Sequence, residues 1–149
     1  MMKNVILTIC ALVSMQIALS AQQMEPVKWS FDVEKMTEGQ YTLHFTADID
    51  KDWVIYGMKE LEDGPIPTSI NFDEGLYKLV DEVTTKSEST ITDDPLFMVK
   101  LEKFKTQADF TQVVTIDGPT TVSGWVTFMT CDGEKCLPPT DIDFSFDLK

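Results

Sequence analysis

Cys131 and Cys136 are the residues whose types and spacing point to chemistry, and the chemistry is thiol–disulfide exchange. They lie in VTFMTCDGEKCLPPT, Val126 to Thr140, with four residues between them. That spacing excludes the C-x-x-C start of a thioredoxin-type helix and suits the two sides of a short hairpin loop turning at Asp132-Gly133. Opposed residues of an antiparallel pair have Cα atoms about 4.5 to 5.5 Å apart, within the range a disulfide requires. A bridge closing six residues restrains the unfolded chain by only about 2 kcal/mol, against roughly 4.7 for a 100-residue loop. It is a poor staple, so a redox pair and a plain hairpin disulfide both stay open. Structural zinc takes four Cys or His ligands. The mature chain offers two thiols and the distant His44, so no metal site is expected.

The flanking charges bear on reactivity. Asp132 and Glu134 raise a neighbouring thiol pKa, and Lys135 lowers it. The loop is therefore better suited to being attacked as a disulfide by another protein's thiolate, or to activation within a complex, than to acting as a strong free nucleophile.

The elements that position this loop follow an N-terminal leader. Lys3, an apolar run from Val5 to about Leu19, and small residues at Ser20 and Ala21 form a secretory signal peptide with cleavage near Ala21. The run is shorter than a membrane span needs and is broken by Ser14 and Gln16, so no retained anchor is expected. Cleavage removes Cys10, leaving two cysteines in an oxidising compartment, where pairing is the default. The remaining segment, residues 22–149, is expected to be one domain, periplasmic once exported. A net charge of −13, from 25 acidic and 12 basic residues with no arginine among the latter, argues against nucleic-acid binding.

Apolar and polar residues alternate from Val27 to Glu34, with Val27, Trp29, Phe31 and Val33 on the inward face. Thr37-Glu38-Gly39 turns the chain. Tyr41, Leu43, Phe45, Ala47 and Ile49 then face inward, leaving His44 on the polar face as a solvated or locally hydrogen-bonded residue. Trp53 to Tyr56 is a short strand, Glu60 to Pro67 a loop, and Thr68 to Phe72 and Leu76 to Val83 are strands without clean alternation. Thr84 to Pro95 is a polar loop ending in an apolar tip, Leu96 to Val99, which either anchors the loop or covers a site. Strands follow at Met98 to Phe104, Ala108 to Ile116 and Thr121 to Cys131. In the last of these Val122, Gly124, Val126 and Phe128 share one face, and Trp125, Thr127, Met129 and Cys131 the other. Ile142, Phe144, Phe146 and Leu148 face inward on the final strand. Eight or nine short strands without a helical period predict an all-β fold, an immunoglobulin-like or Greek-key antiparallel β-sandwich.

Other enzyme classes lack their motifs: there is no G-x-S-x-G elbow, no phosphate-binding glycine loop and no H-E-x-x-H. The carboxylates fall on outward strand faces, as solvated surface does.

The cysteine block resembles that of the N-terminal periplasmic domain of the thiol:disulfide interchange protein DsbD. The match consists of a strand, Cys131, a short acidic glycine-containing loop, Cys136, Leu137-Pro138-Pro139-Thr140 and a last amphipathic strand. Trp53 to Tyr56, and the stretch from Lys86 through Asp94, Pro95 and Phe97 to Phe110, resemble it more loosely. The resemblance implies an immunoglobulin-like module that passes reducing equivalents to thioredoxin-fold envelope proteins without a cofactor. It gives Cys136 the mixed disulfide and Cys131 the resolving role. It also implies an aromatic cap over the disulfide at about Asp94 to Met98, with Phe97 as covering ring and Tyr56 beside it. The loop has apparently one residue fewer than in the best-known members. A stand-alone exported version would take electrons from a separate membrane carrier. The competing expectation is a non-catalytic sandwich that binds another envelope protein and keeps its hairpin disulfide oxidised.

Overall fold

The computed structural model describes residues 24–149; the expected signal peptide and Cys10 lie outside the described residues. Among the described residues, eleven antiparallel strands form three sheets. The first has the order β1 (Val27–Thr37), β2 (Gln40–Ile49), β8 (Gln107–Ile116), β5 (Tyr77–Thr85). The second runs β10 (Thr130–Cys131), β3 (Val54–Tyr56), β7 (Lys100–Phe104), β6 (Thr90–Asp93). The third runs β11 (Thr140–Leu148), β9 (Thr120–Phe128), β4 (Ser69–Phe72). This is the all-β, immunoglobulin-like antiparallel sandwich that the alternation predicts.

The core forms where alternating strands turn their apolar faces together. Leu43, Phe45 and Ala47 of β2 and Ala108, Phe110 and Val114 of β8 are fully buried. Val122, Val126, Phe144 and Phe146 of the third sheet belong to the same cluster. Phe45 meets Phe144 edge-on with ring centroids 4.8 Å apart, and Phe31 lies 5.8 Å from Phe144. Each buried phenylalanine contributes roughly 1.5–3 kcal/mol by leaving water, which fixes strand register because a one-residue slip would turn the whole row outward. Gly124 permits close pairing of β9 with β4: a Cβ there would lie 1.9 Å from the Asn71 carbonyl oxygen.

The strand plan differs from the sequence expectation in four places, and the irregular pattern expected of β5 is found with its cause. Val33 is exposed, because β1 continues beyond the edge of the core as a ribbon with β2. The polar stretch from Thr84 to Pro95 is no simple loop: Thr90–Asp93 is an edge strand paired with β7, and all four residues are exposed. Met98 belongs to the preceding turn, at φ 60°, and β7 starts at Lys100. The irregular pattern in β5 comes from a register shift between Val80 and Thr84, where Asp81 has φ 59°. The buried Gln112 amide fills that bulge by donating to the Val80 and Asp81 carbonyls at 3.0 and 3.3 Å. Finally, Thr121 to Cys131 is two strands. The chain leaves β9 after Phe128 and joins the second sheet at Thr130, so Cys131 is buried rather than on the exposed face of Trp125.

Candidate functional site

The inner strands of the second sheet, β3 and β7, are covered on both faces, and the cysteine site is built on the face turned away from the main core. Ile55 and Phe104 are opposed in register and enter the main core. Their neighbours Tyr56 and Lys103 are opposed as well, and so are Val54 and Cys131. Because side chains alternate along a strand, Val54, Tyr56, Leu101, Lys103 and Cys131 fall on the other face. Tyr56, Leu101 and Cys131 form a second buried cluster, joined by Val54, Leu61, Phe97, Val99 and Cys136.

Cys131 and Cys136 form a disulfide, with Cα atoms 4.1 Å apart across a single antiparallel bridge. Cys131 is 1% exposed and Cys136 only partly buried, so one sulfur is shut in and the other lies nearer solvent. The hairpin is closed from several sides. The Thr130 hydroxyl donates to the Val54 carbonyl at 2.8 Å, and the Leu137 amide donates to the Thr130 carbonyl at 3.0 Å. At the tip Gly133 takes φ 92°, a conformation glycine adopts without steric penalty. The Asp132 carboxylate accepts the Lys135 and Glu134 amides at 2.9 and 3.0 Å, and these bonds hold its pKa below the usual carboxylate value. Lys135 extends its ammonium over the Trp53 ring, 6.0 Å from the centroid.

The segment between β6 and β7 closes on this cluster. The Asp94 amide donates to the Val99 carbonyl and the Met98 amide to the Asp94 carbonyl, both at 2.9 Å. Asp94 itself is 4% exposed. Its Oδ1 accepts the Leu96 and Phe97 amides at 2.8 and 3.1 Å. Its Oδ2 accepts the Tyr56 hydroxyl at 3.1 Å and pairs with the Lys103 ammonium at 2.9 Å. Burial pushes the Asp94 carboxyl pKa up, but the Lys103 hydrogen bond and the two loop amides outweigh it, and the net shift is downward. Burial and the adjacent Asp94 charge both push the Tyr56 phenol above its ordinary value.

Of the residues expected from the sequence, Cys131, Cys136, Tyr56, Phe97 and Asp94 are gathered here. The Phe97 ring stands edge-on to Tyr56 at 5.9 Å. Met98 points elsewhere and is 82% exposed. His44 is remote from the disulfide, bonded through Nδ1 to Asp109 at 2.9 Å on the polar face. Sequence reading missed Lys103, although its phase with Leu101 in KLEKF, a lysine at an inward strand position, was a visible signal. A groove of about 590 Å³ runs beside the hairpin tip, with Trp53, Tyr56, Asp94, Lys103, Asp132 and Gly133 among its walls.

Fold and site together define an antiparallel β-sandwich that holds a half-buried hairpin disulfide against the buried Tyr56 and Leu101. Neither protein-family models nor curated proteins give a match to the chain. Solved structures do. The N-terminal periplasmic domain of ScsB from Proteus mirabilis superposes with a TM-score of 0.64 at 16% identity, over 87% of this chain and 49% of that one. The N-terminal domain of DsbD from Neisseria meningitidis, in its reduced form, superposes with a TM-score of 0.50 at 14% identity, over 80% and 84% of the two chains. The chain thus spans about half the length of the ScsB structure. At these identities the likeness is one of fold: the chain has a DsbD N-terminal-domain-like fold, in keeping with the resemblance of its cysteine block.

Proposed function

We propose that the protein is an exported, periplasmic thiol:disulfide exchange module that relays reducing equivalents between a membrane electron carrier and thioredoxin-fold envelope proteins. The observation that carries this reading is the asymmetry of the disulfide: Cys131 is buried in a strand, and Cys136 lies nearer the surface within an aromatic and apolar cluster. The periplasmic placement of the ScsB domain and the leader-like N-terminus support the compartment.

In the uptake direction a donor thiolate attacks Cys136 Sγ, forming a mixed disulfide and expelling Cys131 as a thiolate that takes up a proton. The donor's second thiolate then attacks its own sulfur in the mixed disulfide and releases Cys136, which is protonated in turn. The donor leaves as a disulfide, and two electrons and two protons have passed to the cysteine pair. Delivery runs the same steps in reverse, with Cys136 attacking the acceptor disulfide and Cys131 resolving. Phe97 and Tyr56 are the rings of the cap that restricts access to the sulfurs, and Asp94 is the group that folds its loop; Met98 belongs to the same turn but faces solvent.

Partner capture tests this reading. The exported Cys131→Ser variant keeps Cys136 but has no resolving thiol. It is expected to accumulate disulfide-linked adducts with thioredoxin-fold or membrane electron-carrier proteins, seen on non-reducing gels and identified by mass spectrometry. A double serine variant supplies the blank. An unreactive Cys136 without adducts would make the bridge a local clamp in a non-catalytic binding module.

A further inference from the structure

Lys103 has no part in the exchange chemistry, yet it is the buried cation of the site. Its side chain is 10% exposed and that of Asp94 3%, with 2.9 Å between Nζ and Oδ2. Removing such a charge from water is costly unless a partner compensates it. Asp94 supplies the compensation, and the pairing has a geometric consequence. Lys103 sits on β7 directly opposite Tyr56 of β3, fixed by strand register. Asp94 sits at the start of the turn that carries Phe97 into the cysteine cluster, and its other oxygen holds the Leu96 and Phe97 amides. A carboxylate has about four lone-pair sites, and those of Asp94 are divided two to the turn and two to the sheet. The ion pair therefore ties the Phe97 turn to the strands that hold the disulfide.

We propose that Lys103 is a positioning residue for exchange: through Asp94 it latches the 94–99 turn against the cysteine cluster, and breaking this ion pair opens the disulfide to incoming thiols. Exchange proceeds from the fraction of molecules in which the turn is released, so loosening the latch raises the exchange rate by enlarging that fraction. Tyr56 donates to the same oxygen through a neutral hydroxyl at 3.1 Å, whereas the Lys103 contact, at 2.9 Å, adds the attraction of a second full charge. The ammonium thus makes the stronger of the two sheet contacts.

Reduction by dithiothreitol, followed by acid quench, alkylation and mass spectrometry, reads the latch directly. A dithiothreitol thiolate attacks the bridge, its second thiol closes the reductant into a cyclic disulfide, and the cysteine pair gains two electrons and two protons. Lys103→Met, similar in length and uncharged, is expected to be reduced about tenfold faster or more, while Lys103→Arg stays within about threefold of the wild type. A Lys103 that served stability alone would lower the melting temperature of the methionine variant and leave the reduction rate of the folded protein unchanged, which would overturn the proposal. Should the single variant fail to fold, Asp94→Asn with Lys103→Met leaves neither charge buried alone and retains an oxygen for the turn amides. The same acceleration is expected there, and its absence is equally fatal. The latch takes its biological meaning from the exchange reading, but dithiothreitol reduces any reachable disulfide. Acceleration by Lys103→Met in a protein that exchanges with no thioredoxin-fold partner would end the exchange reading and leave the latch standing.

Discussion

Reducing the Cys131–Cys136 bridge is expected to cost little stability, and the size of the loss follows from the loop. The bridge closes six residues. For that length the loop-closure entropy amounts to about 2 kcal/mol at 25 °C. Other contacts hold the hairpin after the sulfurs part: Thr130 remains bonded to Val54, Leu137 to Thr130, and the Asp132 carboxylate to the tip amides. Urea unfolding with and without a phosphine reductant is therefore expected to give curves of equal slope, separated by about 2 kcal/mol. Through the thermodynamic cycle, that difference means that folding shifts the potential of the pair by only about 40 mV relative to the unfolded dithiol. So light a stabilisation by the fold is what the proposed exchange role requires. A loss above about 4 kcal/mol would refute the reasoning, because the bridge would then be doing the structural work that its loop length denies it.

Two further outcomes test the packing and electrostatics. The Asp94 carboxyl is held below its ordinary pKa in the folded protein. The stability it contributes is therefore present above its unfolded value of about 4 and is lost as pH falls through the lower folded value. Thermal melts of wild type and Asp94→Asn from pH 6 to pH 2 should show the wild-type advantage vanishing below about pH 4, and an advantage that persists to pH 2 would contradict the ion pair. Gly124→Ala would place a Cβ 1.9 Å from a backbone oxygen, whereas Gly118→Ala meets nothing within 4 Å. Urea titration should show a loss of about 2 kcal/mol or more for Gly124→Ala and a change within about 0.5 kcal/mol for Gly118→Ala, and equal losses would mean that β4 does not approach β9 so closely.

The strands legible in the sequence were those with one face in the core and one in water. Residues 41–49, 108–116 and 142–148 alternate cleanly, and the buried residues of β2, β8 and β11 are largely those the alternation names. Where a strand lacks that contrast, alternation carries no signal. β6 is exposed at every residue and shows itself only through its pairing with β7. β7 is covered on both faces, so Leu101, Lys103 and Phe104 are all buried and the lysine reads as surface in a list of residue types. β10 is two residues long, too short for any period to register, and the change of sheet before it reversed the expected side of Cys131. The cysteine spacing did foretell a bridged hairpin. The difference in burial between its two sulfurs depends on which sheet receives Thr130, and only tertiary packing decides that.

The placement of the site on the inner strands of the second sheet suits the proposed exchange role. A relay needs one sulfur that a partner can reach and a second that stays within bonding distance while the first is engaged, since the resolving step is fast only when its reactants are already held together. Cys131 is positioned for the second task by pairing with Val54 and by the bond from Thr130 to the Val54 carbonyl, both independent of the disulfide. Cys136 lies across the bridge on a loop whose own fastenings, the Asp132 carboxylate and the Leu137 amide, also survive reduction. The same strand register that seats Cys131 seats Tyr56 and Lys103, the two groups that hold Asp94 and with it the Phe97 turn. In the proposed relay, access to the sulfurs and the spacing between them therefore rest on one sheet, and the proposed loosening of the turn leaves the strand that seats Cys131 in place.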